Sequence, residues 1–213
     1  MEHKKDYINS GIIGFFFGLF SIPILKNIEF DFLPLNLTTY AAIVIFFTVF
    51  AIIAIWIAIK ISKKIPVIFE VAKFAAVGAF NTFLDWGVSN ALILLLLYMG
   101  IVQMDGDILG ISDQALGTLK GISFLVATTG SYFWQKYWTF KSEKESTGKE
   151  FLTFLVVSGI GMAINILVAV TIKNINPFEL SEARAINVGF ALATIASLVW
   201  NFLGYKFVVF KKK

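Results

Sequence analysis

The chain has 213 residues, 58% of them hydrophobic and only 15% charged, with a formal net charge of +4. One soluble core of that size cannot hide so much apolar side chain, which excludes a soluble globular protein. The absence of cysteine excludes disulfides, thiolate metal sites and cysteine nucleophiles. The basic residues flank apolar runs, so they point to membrane topology and not to nucleic acid.

A helix crossing about 30 Å of hydrocarbon needs about 20 apolar residues. Six runs approach that length: about 8–25, 39–59, 74–99, 120–138, 151–172 and 185–205. None alternates apolar and polar residues as the strands of a membrane barrel do, so the predicted fold is an all-α integral membrane protein of about six transmembrane helices. The first run is the weakest. It carries Gly11, Gly14 and Gly18, ends near Pro23, and follows Lys4 and Lys5 as a signal-peptide core would. No small-x-small cleavage site precedes Lys26, so it is read as a retained span.

Basic residues set the direction. With the N-terminus in the cytoplasm, the inside segments hold 14 Lys and the outside segments hold Lys26, Lys120, Lys173 and Arg184. That asymmetry predicts cytoplasmic N- and C-termini.

The chain also repeats itself. Residues 74–86 (FAAVGAFNTFLDW) and 154–166 (FLVVSGIGMAINI) align at an offset of 80, pairing Phe74 with Phe154, Val77 with Val157 and Asp85 with Asn165. The partner helices end in KYWTFK (136–141) and KFVVFK (206–211), at an offset of 70. Spans three and four are thus predicted to form a hairpin that spans five and six repeat. A two-helix unit returns the chain to its starting side, so the repeats are parallel.

Polar residues inside the spans mark candidate sites. Asp85 is the one acidic residue well within an apolar run. It lies 12 residues past Lys73, about 18 Å along a helix, near the bilayer middle, where a charge costs about 3 kcal/mol on insertion scales. Asn81, Asp85 and Ser89 recur every four residues and share a helix face. Asn165 with Ser158, Asn201 with Ser197, and Gln135 with Ser131 continue the pattern on the later spans. Amides and carboxylates offer the donors and acceptors that sugar hydroxyls need; small and polar residues also simply pack membrane helices together. At the helix ends, Lys136 and Trp138 in one hairpin and Lys206 in the other are either an aromatic belt with snorkelling lysines or a site for a lipid phosphate.

Three segments carry a resemblance to a known family: KFAAVGAFNT (73–82), SYFWQKYWTF (131–140) and NFLGYKFVVF (201–210). They resemble the GtrA-like family of small bacterial membrane proteins over about residues 70–211. The chain then divides into an N-terminal extension, 1–65, with two spans, and a GtrA-like domain, 66–213, with four. Gln135-Lys136 stands where that family commonly has Asn-Arg; Lys keeps the charge but cannot grip phosphate bidentately. The resemblance implies a bacterial plasma-membrane protein acting on a polyprenyl-phosphate-linked sugar. Its role would be to flip or present that lipid, supplied by a partner glycosyltransferase, for glycosylation of an envelope polysaccharide such as O-antigen or teichoic acid.

Two other classes fit the sequence less fully: a non-transporting scaffold that recruits a glycosyltransferase, and a small proton-coupled cation exporter using Asp85. No enzyme activity, metal, cofactor or nucleic acid is expected. His3 stands alone in a charged N-terminus, Gly159 and Gly161 lie mid-span, and no loop is long enough for a catalytic domain. A homo-oligomer is expected, because four helices leave little room for a sugar among them.

Overall fold

The structure, a computed structural model, describes residues 3–28, 34–105, 108–143, 145–175 and 182–211. Among these residues the chain forms six α-helices: α1 (Lys4–Ile28), α2 (Leu37–Ser62), α3 (Val67–Tyr98), α4 (Asp113–Trp134), α5 (Gly148–Ile175) and α6 (Glu182–Gly204). A two-residue antiparallel ladder between α3 and α4 pairs Met104 with Leu109 and Asp105 with Ile108. It is the one departure from an all-helical fold that the sequence pattern did not foretell.

Local chemistry explains the helix boundaries. Asn36, Ser112 and Thr147 each accept a first-turn N–H through the side chain, from Thr39 (3.0 Å), Ala115 (3.2 Å) and Glu150 (3.1 Å), opening α2, α4 and α5. Pro66, with its fixed φ, stands at the start of α3. That helix ends in a Schellman turn. Gly100 takes φ +69°, its N–H reaches the Leu97 carbonyl at 3.1 Å, and Ile101 N–H reaches Leu96 at 3.0 Å.

Five of the helices are long and apolar enough to cross a membrane by length and composition. The remaining helix, α4, is amphipathic in the opposite sense to a soluble helix. It buries Ser123, Thr128 and Ser131 and exposes Leu116, Phe124, Leu125 and Phe133. A polar inward face with an apolar outward face suits a helix that lines a polar interior and meets lipid outside. The helix also begins seven residues earlier than the apolar run suggested. Lys120, expected at the outer membrane surface, therefore lies two turns inside it.

The chain divides into two compact units, Met1–Thr139 and Phe140–Lys213. In the first, α1 lies against α2 so closely that side chains are excluded at two glycines. A Cβ on Gly14 would meet Ala51 Cβ and Thr48 Cα at 2.8 Å, and one on Gly18 would meet Val44 Cα at 2.7 Å. Those glycines, which weakened the first run as an apolar span, form a small-xxx-small packing seam. Ser10 Oγ donates to the Ala51 carbonyl (2.6 Å) along the same contact. Gly87 admits Phe20 in the same way, bringing α1 against α3. The core of this unit is Ile13, Ile55, Ala58, Val77, Phe80, Leu84, Ala127 and Trp138.

The second unit is the α5–α6 hairpin with Phe140. Its core is aromatic: Phe154, Tyr205, Phe140 and Phe210 are all buried, with Tyr205 stacked on Phe154 at 4.5 Å. Trp200 Nε1 donates to the Val157 carbonyl at 3.0 Å, and Gly204 lets Val157 lie against the α6 backbone.

The repeat is visible in the backbone. Both α4 and α6 run into a five-residue π-helical turn, Gln135–Thr139 and Tyr205–Val209, at the same offset of 70 as the sequence motif. Such turns are rare and gather at functional sites. Burial repeats as well. Phe74 and Phe154, Val77 and Val157, Ser123 and Ala193, and Thr139 and Val209 are buried pair by pair.

Candidate functional site

Each hairpin joins its two helices at mid-length through a polar contact. In the first unit Asp85 on α3 accepts from two groups on α4: Ser123 Oγ at 2.6 Å and the Lys120 ammonium. Ser89 Oγ lies 2.7 Å from Ser123 Oγ. A hydroxyl has one proton, so the consistent chain runs from Ser89 to Ser123 to Asp85. In the second unit the corresponding residue, Asn165, donates from Nδ2 to Ser197 Oγ at 3.3 Å. Asp85 and Asn165 thus perform the same structural task, and Asp85 carries its own counter-charge. Lys120 was the partner that sequence spacing could not supply.

The start of each π-turn grips the first helix of its hairpin. Gln135 Nε2 reaches the Phe74 carbonyl (3.4 Å), while Tyr205 covers Phe154 and shares a 2.6 Å hydrogen bond with Ser158. The following lysines differ. Lys136 is fully buried, with its ammonium 5.8 Å from the rings of both Tyr132 and Tyr137. Lys206 is half-buried, 5.4 Å from the Phe202 ring and 5.9 Å from Phe207. Lys206 is therefore open to the outside, whereas Lys136 is enclosed by protein.

A third cation, Lys73, is buried as well. Its Nζ donates to the Trp138 carbonyl at 3.1 Å, lies 4.4 Å from the Phe69 ring, and stands 3.8 Å from Asp6 Oδ1. Asp6, also buried, accepts from Trp138 Nε1 at 3.0 Å and from His3 Nδ1 at 3.3 Å. This ties the first turn of α1 to the first turns of α3 and to the π-turn. By sequence position Lys73 falls among the cytoplasmic charges and Asp6 has no evident role. The signal for this contact in the sequence is a carboxylate at the edge of the first apolar run.

Four buried side-chain oxygens have no hydrogen-bond partner among the described residues: Asn81 Oδ1, Gln135 Oε1, Thr139 Oγ1 and Asn201 Oδ1. Three belong to residues that the sequence pattern had singled out. The two Asn are not counterparts in the repeat. By the offsets of 80 and 70, Asn81 corresponds to Gly161 and Asn201 to Ser131, so one hairpin carries the amide on its first helix and the other on its second. Gly161 makes that possible, since any Cβ there would collide with the Asn201 carboxamide.

Comparison with known proteins agrees with this architecture. The GtrA/DPMS transmembrane domain matches residues 73–210, which begins at Lys73 within α3, runs through the second π-turn and leaves α1 and α2 outside. The membrane protein YngA of Bacillus subtilis (strain 168) is 26% identical over 138 residues, covering 65% of this chain and 77% of its own length. No solved structure matches the chain. With α3 from Lys73 onward, α4–α6 and both π-turns inside the matched segment, the chain belongs to the GtrA/DPMS transmembrane-domain family.

Proposed function

We propose that the protein moves a polyprenyl-phosphate-linked sugar across the membrane. Its family is linked to polyprenyl-sugar glycosylation of surface polysaccharides. The observation that carries the reading is the set of partnerless oxygens on Asn81, Gln135 and Asn201. A buried acceptor without a partner costs about 1–3 kcal/mol, and sugar hydroxyls in transit are donors that would relieve that cost. Asp85 takes a structural part in this reading, because Lys120 and Ser123 already occupy its oxygens. The same pairing removes the main support for a cation exporter, which needs a carboxylate free to exchange its ligand.

The test is reconstitution in vesicles with a labelled polyprenyl-phosphate sugar, following its exposure to an external reagent. Asn81→Ala and Asn201→Ala should each slow exposure about tenfold, the factor for one hydrogen bond of about 1.4 kcal/mol, at normal protein level. Wild-type protein that exposes no more lipid than empty vesicles, yet raises the activity of a partner glycosyltransferase, would establish the scaffold instead.

The proposal includes cytoplasmic termini. Setting aside Lys73, Lys136 and Lys206 from the inside count, because they are buried or half-buried, and Lys120 from the outside, because it pairs with Asp85, leaves 11 against 3, so the bias survives. Cysteines placed singly at Lys4, Asp107 and Lys213 should react with an impermeant thiol reagent in intact cells at Asp107 alone. Labelling at Lys213 reverses the orientation.

A further inference from the structure

Two cavities flank Trp138 in the first unit, and their linings differ in kind. One, of about 330 Å³, lies among α1, α2 and α3, and apart from Ser10 its lining is apolar. Ala54, Ala75 and Ala79 open onto it, with Phe17 and Phe47 beside them. The other, of about 360 Å³, lies between α1 and the end of α4. Its lining is aromatic and amide: Asn9, Phe133, Trp134 and Tyr137 over Gly130. The Phe133 and Tyr137 rings stack parallel within 5°, with centroids 6.2 Å apart.

Trp138 belongs to both linings, and the Lys73 ammonium sits on its carbonyl. An apolar cleft, an aromatic and amide chamber and the buried Lys73–Asp6 pair thus meet at one residue. That is the division of an amphiphile: a hydrocarbon chain on one side, and on the other a ring whose C–H face packs on aromatics while its hydroxyls need an amide. An apolar cavity of this size lies in helices that read as membrane spans and is costly to leave unfilled. Hydrocarbon is the one filler those surroundings supply.

We infer that the α1–α2 extension, which lies outside the family match, completes a binding site for the polyprenyl lipid. The isoprenoid chain lies in the Ala54–Ala75–Ala79 cleft and the head-group sugar lies against Asn9 and the Phe133 and Tyr137 rings. The inference rests on the polyprenyl-lipid reading above and adds to it the part played by the extension. Helix α1 faces both chambers, through Gly14 and Phe17 on one side and Asn9 on the other. Neither chamber exists in a four-helix unit alone.

The test uses the full chain in vesicles with two photoactivatable probes: polyprenyl phosphate with a diazirine in its chain, and phosphatidylglycerol with a diazirine in its acyl chain. The polyprenyl probe should label peptides of α1 and α2, and unlabelled polyprenyl phosphate should compete. Ala75→Leu and Ala54→Leu project into the cleft from exposed positions and leave the core untouched. Each should cut that labelling about tenfold, the usual scale of overpacking a filled site. Asn9→Ala should weaken competition by the sugar-bearing lipid and leave competition by bare polyprenyl phosphate unchanged. Equal labelling by phosphatidylglycerol overturns the site, since bulk lipid then fills the cleft. Labelling confined to α3–α6 and indifferent to Ala75→Leu overturns it while a translocating wild type leaves the transport reading standing. Cleft labelling with no translocation by wild type does the reverse.

Discussion

Lys73→Met should lower the stability of the first unit by about 3 kcal/mol, the low end for removing one member of a buried ion pair. Lys73 and Asp6 are both almost wholly buried and lie 3.8 Å apart, with Trp138 bonded to each: its carbonyl to Lys73 and its indole N–H to Asp6. With the ammonium gone, Asp6 keeps only the indole and His3, and the Trp138 carbonyl loses its donor. The check is a denaturant titration in detergent, with the double variant Lys73→Met/Asp6→Leu measured beside both single ones. The double variant should be more stable than Lys73→Met alone, because it removes both buried charges together, with a coupling energy of about 2 kcal/mol. Strictly additive losses would show that the pair carries no linkage between α1 and α3.

That contact was hard to read from the sequence, and the reason is general. Lys73 precedes an apolar run, where a lysine usually snorkels to water; its burial depends on α1, which the repeat does not include. Hydropathy runs and the internal offsets of 80 and 70 are local or periodic signals, and they revealed the helices, the two hairpins and the paired helix ends. Even the π-turns fall on the repeated Lys-aromatic motif, although nothing in the letters separates a π-turn from a plain last turn. What stayed hidden were pairings between distant positions: Asp6 with Trp138, Lys120 with Asp85, Tyr205 with Ser158. The polar stripe on α3 was legible as a face, but which of its members already had partners was not. That difference divides the stripe. Asp85 and Ser89 are satisfied within the hairpin, while Asn81 retains an acceptor without a partner.

Lys120→Met should therefore affect folding and not transport chemistry. Asp85 sits midway along α3, and an acidic group at such a depth without a partner costs about 2.5–3.5 kcal/mol on insertion scales. The Lys120 ammonium offsets part of that cost while its stem, more than half exposed, reaches outward along α4. Removing the cation leaves Asp85 with Ser123 alone, and the amount of protein in the membrane should fall several-fold, as a loss of about 2 kcal/mol does. The charge exchange Asp85→Lys/Lys120→Asp should restore much of that amount, because both charges stay at the same depth and near one another. Asp85→Asn, which reproduces the Asn165–Ser197 contact of the second hairpin, should keep both normal protein level and normal lipid exposure. Its behaviour in the vesicle assay decides what Asp85 does. If Asp85→Asn accumulates normally but exposes lipid about tenfold more slowly, the carboxylate touches the passing sugar. The ion pair is then a resting state that the substrate must break.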